Sequence, residues 1–189
     1  MRKLVLQMGV SVDGYVAGGP KDAGDDESVE AGEHSEVTAR KLELMRGVGL
    51  HLMGRVTYEE MAAYWPTSSH VYAAVMNDIP KVVFSKTLTT ADWPVTRIAS
   101  GDLTKEVDRL KAEPGGDIIA YGGASFAQAL SRHGVVDEYR LVVNPTALGS
   151  GQPMFKDLAA PLHLELIEST PFPDGTIITR YQPARKAPA

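Results

Sequence analysis

The sequence predicts an α/β fold: a three-layer α/β/α sandwich with a mostly parallel central sheet and an antiparallel C-terminal hairpin at one edge. Three observations point there. Short apolar runs rich in Val, Ile and Leu alternate with stretches of helical period along most of the chain, the pattern of repeated β-α units. Runs such as "KVVF" and "DIIAY" are apolar at nearly every position, as strands covered on both faces must be. The last two runs, residues 162–170 and 175–183, alternate instead and flank "PFPDG", which marks a hairpin. The whole chain, 1–189, reads as one domain.

The elements follow in order. Residues 2–10 form the first strand. A signal peptide is the competing reading of "MRKLVLQMGVSVDG", but polar Gln7 and Ser11 interrupt it and no small-residue cleavage site follows. Residues 11–35 are a polar, glycine-rich loop. Seven carboxylates stand from Asp22 to Glu36 with no Lys or Arg among them, so the loop is either a solvated surface run or a lid over a site. Thr38, Leu42 and Met45 share one face of a helix over 36–47. "GLHLM" (49–53) is a strand, and Gly54 opens a helix through "RVTYEEMAAY". "HVYAAVMNDI" gives another helical turn or two. Strands follow at 81–85 and 95–99. Leu103, Val107 and Leu110 mark a helix by their spacing. Strand 117–121, helix 124–132 and the strand in "DEYRLVVNP", stopped by Pro145, complete the α/β part.

Composition excludes several function classes. A net charge of −5 with no basic stripe argues against nucleic acid. No apolar run approaches the roughly 20 residues of a membrane span. There is no cysteine, which removes disulfides, thiolate metal sites and a zinc deaminase module of the P-C-x-x-C kind. The expected location is the cytoplasm. The five histidines form no i, i+4 pair or cluster, so no metal is expected.

Three strand ends carry residues suited to a nucleotide. In "LMGRVTYEEM", Gly54 permits close approach where strand gives way to helix, Arg55 adds a cation with bidentate reach, and Thr57 adds a hydroxyl. The bland reading is a turn with a surface arginine. After "VVF", Ser85, Lys86 and Thr87 suit a ribose or its 2′-phosphate, or simply begin a polar loop. In "YGGASFAQAL", Gly122 and Gly123 offer backbone amides to a pyrophosphate and Ser125 a hydroxyl. The same stretch, Gly123-Ala124-Ser125-Phe126-Ala127, nearly spells a hydrolase nucleophile elbow. It lacks the last glycine, no H-G-G-G segment exists, His133 ends the same helix, and His163 alternates with leucines in a strand. The phosphate cradle is therefore preferred. Trp65 and Tyr64 before Pro66 either line a pocket for a planar ligand or pack at a helix end.

These pieces, with "SVDGYVAG", "MGRVTYE", "VVFSKT", "VDEYRLVVNP" and "LGSGQPMF", resemble the dihydrofolate-reductase-like superfamily. Within it they are similar to the branch containing the reductase domain of the bifunctional riboflavin-biosynthesis deaminase/reductase. The resemblance spans residues 4 to 155 and implies a reductase that binds NADPH and works on a small heterocyclic or carbonyl substrate, as a homodimer. It places Gly9 and Val16 at the nicotinamide, and Gly54, Arg55 and Thr57 at phosphates. Ser85, Lys86 and Thr87 fall near the adenosine ribose and its 2′-phosphate. Gly122, Gly123, Ala124, Ser125 and Phe126 wrap the pyrophosphate, and Asp13 and Trp65 lie toward the substrate. Two departures stand out. The acidic residue that dihydrofolate reductases carry on the first helix falls near Thr38 by spacing back from Gly54, with Glu33 and Glu36 close by. The deaminase module is absent. No catalytic side chain is assigned, and a cofactor-binding module without turnover is the alternative.

Overall fold

The computed structural model describes residues 1–17 and 36–184. The acidic run before Glu36, with Glu33 and the lid reading attached to it, lies outside the described residues.

The strands are β1 (Leu4–Ser11), β2 (Tyr15–Ala17), β3 (Val48–Gly54), β4 (Lys81–Phe84), β5 (Thr96–Ala99), β6 (Asp117–Tyr121), β7 (Glu138–Asn144), β8 (Gln152–Pro153), β9 (Leu164–Pro171) and β10 (Ile177–Pro183). The helices are α1 (Glu36–Met45), α2 (Arg55–Tyr64), α3 (Ala73–Asp78), α4 (Leu103–Ala112) and α5 (Ala124–Arg132), with a 3-10 turn at Trp65–Thr67. Eight strands form one sheet in the order β5-β4-β3-β6-β1-β7-β10-β9. The first six are parallel, while β10 pairs antiparallel with both β7 and β9. The expected sandwich and terminal hairpin are both present. The hairpin turn is closed by the Phe172 amide donating to the Thr176 carbonyl at 2.8 Å.

Burial explains the layering. Leu4, Leu6, Leu52, Val82 and Ile118 pack on one face against Val107 and Leu110 of α4 and Ala127 and Leu130 of α5. On the other face Met53 and Val83 meet Met45 of α1, Tyr58 of α2, Met76 of α3, Trp65 and Trp93. The central strands therefore have apolar neighbours above and below, and their near-continuous hydrophobic runs follow. α4 carries its own termination signals. Asp102 caps it by accepting from the Lys105 amide at 3.0 Å, and Arg109 and Lys111 lie in its last turn, where cations offset the helix dipole.

The small ribbon of β2 and β8 is not legible in the sequence, because three residues against two show no period. β5 begins at Thr96, not 95, because Val95 sits at φ 58°, outside any strand conformation. The hairpin strands start at 164 and 177 and not at 162 and 175.

Candidate active site

Parallel strands end on one edge, so the loops that follow them are neighbours in space however distant in sequence. The order β4-β3-β6-β1 sets Ser85–Thr87 beside Gly54–Thr57, then Gly122–Phe126, then Gly9–Asp13. The expected cofactor residues are thus brought to a single rim.

The centre of this rim is a hydrogen-bonded cradle. The Thr57 hydroxyl, in the first turn of α2, donates to the Gly122 carbonyl and accepts from the Gly123 amide at 2.6 Å. Thr57 is buried, so it locks the β6–α5 turn to α2. The Gly122–Gly123 peptide is cis. A Cβ at 122 would fall 2.7 Å from the Met8 sulfur, so any larger residue there makes the flexible end of the Met8 side chain move aside. At Gly54 a Cβ would stand 3.2 Å from that of Phe126. The Phe126 ring lies 5.5 Å from that of Phe84, so the β3–α2 and β6–α5 turns press together.

Two helix N-termini point at this cradle, and neither is neutralised. Gly54 and Gly123 are the N-caps of α2 and α5, neither has a side-chain cap, and neither first turn holds an acid. α4, away from the cradle, has both. The Phe126 and Ala127 amides turn back to the Gly123 carbonyl, which leaves those of Ala124 and Ser125 without an intrahelical partner. Ser125 is exposed and Ala124 is buried. An arrangement of free amides, a hydroxyl and two positive dipole ends attracts an anion.

The flanking residues divide by what they touch. Arg55 pairs with Glu59 at 2.9 Å on the exposed side of α2. The Ser85 hydroxyl accepts from the amides of Thr87 (3.1 Å) and Leu88 (2.9 Å). It holds the loop that presents exposed Lys86 and Thr87. Gly9 is exposed on β1, and Val16 is half-buried against the main core. Asp13 accepts from the Ser11 hydroxyl at 2.6 Å and from the amides of Gly149 (2.7 Å) and Leu148 (3.1 Å). These bonds, that of Ser11 foremost, hold its carboxyl down at about 2 and clamp the loop after β7 onto the β1–β2 turn. Trp65 is only 8% exposed. It packs edge-on to Tyr64, His70 and Tyr72, so of its two readings the structure gives it helix-end packing. Thr38 is buried in α1, while Glu36 is exposed at that helix's start. His163 is exposed, and His133 caps the far end of α5, so neither stands near Ser125 as a base.

A buried charged network on β7 and β10 escapes the sequence reading. Glu138 and Arg140 are buried on β7. Arg140 donates to Glu138 (3.2 Å), to the Gln7 side chain and to the Leu44 carbonyl. Arg180 of β10 donates to Glu138 at 2.8 Å and to Glu168 of β9 at 2.8 Å, and Arg40 of α1 completes the chain at Glu168. Burial opposes ionisation of Glu138, yet the bonds and charge of Arg180 and Arg140 hold it below the usual carboxylate range. The only sequence signal is the i, i+2 spacing of Glu138 and Arg140, which shows one strand face and says nothing of partners. Among the described residues no three His, Asp or Glu side chains are placed to share a metal, and no helix is long and apolar enough to cross a membrane.

The family model described as the RibD C-terminal domain matches residues 2–178. The uncharacterised protein YyaP of Bacillus subtilis (strain 168) is 28% identical over 182 residues, covering 93% of this chain and 92% of that one. A putative riboflavin biosynthesis protein from Shewanella sp. PV-4 superposes with a TM-score of 0.76 at 24% identity, covering 97% of this chain and 99% of that one. Dihydrofolate reductase from Enterococcus faecalis, solved with NADP(H), superposes with a TM-score of 0.62 at 12% identity, covering 97% of each chain.

Proposed function

The chain belongs to the RibD C-terminal domain family, and from that premise we propose that it is an NADPH-dependent reductase of a small heterocyclic or carbonyl substrate. One observation carries the reading: two uncapped helix N-termini converge on a turn that Thr57 fastens from both sides. That is a preformed cradle for a pyrophosphate.

NADPH, when bound, supplies the hydride. The protein supplies position. The Ala124 and Ser125 amides and the Ser125 hydroxyl donate to the pyrophosphate. Arg55 joins them by exchanging Glu59, a swap that costs little because an exposed i, i+4 pair is worth only about 0.3–0.5 kcal/mol. Lys86 serves the 2′-phosphate, between Ser85 and Thr87. Gly9, without a side chain, leaves room for the nicotinamide against β1, with Val16 beside it. Asp13, fully ionised at neutral pH, shapes the substrate side but gives up no proton. Thr38 cannot donate one as an acid. The proton is therefore assigned to water. We further propose a cytoplasmic homodimer. Leu166 and Ile167 of edge strand β9 are 58% and 44% exposed, and an uncovered edge of this kind invites a partner strand.

NADPH fluorescence titration tests the reading. Saturable binding in the micromolar range, followed by oxidation with a pteridine, aminopyrimidine or nitro compound, is the expected result. No binding at high micromolar cofactor overturns it. Binding without oxidation across that panel selects the second reading, a cofactor-binding module, which the inward place of Thr38 favours.

A further inference from the structure

The opposite edge of the sheet holds a feature that the cofactor does not use. A cavity of about 470 Å³ opens at the amino ends of β3, β4 and β5, bordered by Arg2, Leu50, Lys81, Thr96, Arg97 and Glu113. Its border holds three cations and one carboxylate. That carboxylate is already spent. Glu113 accepts from Arg97 at 2.8 Å and from Arg109 at 3.0 Å, while Arg2 stands 3.9 Å away. Lys81 is committed to the carbonyls of Asn77 (2.7 Å) and Ile79 (2.8 Å).

Arg2 is left short. It is 8% exposed, its Nε donates to the Gly116 carbonyl, and its Nη2 is buried with no partner. A buried guanidinium is costly unless its donors and charge are met. An unsatisfied buried donor beside a cavity needs an explanation, and an ion drawn to its charge is one. Thr96 Oγ1, on the same border, is also buried without a partner. Val95, beside it, holds the strained φ of 58°, a conformation that β-branched residues avoid and that gathers at ligand sites.

We propose that this cavity binds an oxyanion of the phosphate type through the guanidinium groups of Arg2 and Arg97, the latter through the donors that its Nη2 pairing with Glu113 leaves over. Planar guanidiniums match the oxygen spacing of such anions. The cavity exceeds a single phosphate ion, so the anion is either free or the end of a small phosphomonoester. The site lies across the sheet from the cradle and does not depend on cofactor binding.

Thermal unfolding of the full chain tests this, in inorganic phosphate against sodium chloride of equal ionic strength. At ten times the Kd, phosphate raises Tm by about 3–5 °C. Arg97→Ala, at an exposed position, loses that increment, and the double variant Arg55→Ala/Lys86→Ala, disarmed at the cofactor edge, keeps it. Glycerol 3-phosphate then separates the two sources: a larger increment assigns the site to a phosphomonoester, an equal one to the free anion. The proposal fails if no increment appears. It fails equally if the increment survives in Arg97→Ala, which marks a general salt effect or an anion held at the cradle, or vanishes in the double variant, which puts the anion at the cradle.

Discussion

Asp13 and His51 show how local surroundings fix the behaviour of single titrating groups. Asp13 is exposed, yet three donors keep it ionised down to about pH 2, which makes it an anchor and disqualifies it as an acid. His51 is fully buried, with its Nε2 on the Val75 carbonyl at 3.1 Å and its Nδ1 without a partner. Burial, above all, pushes its pKa down from 6.5 to about 4. The folded chain therefore refuses a proton that the unfolded chain takes up below 6.5. Stability is full above that pH and falls as pH drops toward 4, by about 3 kcal/mol across the window. His51→Leu should flatten urea-unfolding free energies between pH 6.5 and 4; an unchanged slope removes His51 as the cause. Lys86 gives the second test at this scale. Lys86→Ala should raise the Kd for NADPH about tenfold and leave that for NADH unchanged, because only the former has the extra phosphate. Equal losses for both cofactors take Lys86 off the 2′-phosphate.

At the scale of elements, the cradle depends on two turns held by one side chain. Thr57→Val keeps the shape and removes the hydroxyl, leaving the Gly122 carbonyl and Gly123 amide unpaired. Each such loss costs about 1–3 kcal/mol. NADPH binding should weaken more than tenfold and Tm should fall by several degrees, with Thr57→Ser retaining most of both. Ser125→Ala, at an exposed position, should weaken binding only a few-fold. Abolished turnover with intact cofactor affinity in that variant would return Ser125 to the role of nucleophile. An unchanged Kd in Thr57→Val would show that the bridge does not shape the cofactor site.

At the scale of the molecule, the Arg40–Glu168–Arg180–Glu138–Arg140 chain ties α1 to both terminal strands and to β7. Glu138 is its hub, 3% exposed between two arginines. Glu138→Gln leaves both guanidiniums without their shared counter-charge in a poorly hydrated place, a change worth about 3–5 kcal/mol. For a chain of this length that lowers Tm by roughly 6–20 °C, measurable by calorimetry. A fall under 2 °C would show that Glu168 and solvent, not Glu138, offset the charge of the pair.

The sequence by itself determined the layer order, the strand and helix alternation, and the residues of the cradle. Those features are written in local period and in glycine and hydroxyl positions, which neighbours in the chain decide. "YGGASF" was legible as a tight strand-to-helix turn because its glycines and serine are consecutive. What lay beyond reach depends on partners far away in the chain. That Thr57 bonds across to Gly122 and Gly123, that Trp65 packs inward, that Asp13 is consumed by the loop at Leu148 and Gly149, and that Glu138 meets Arg180 were all decided by tertiary structure. Each requires two segments to be placed side by side, and side-chain hydrogen bonds and desolvation act over a few ångströms of space, not along the sequence.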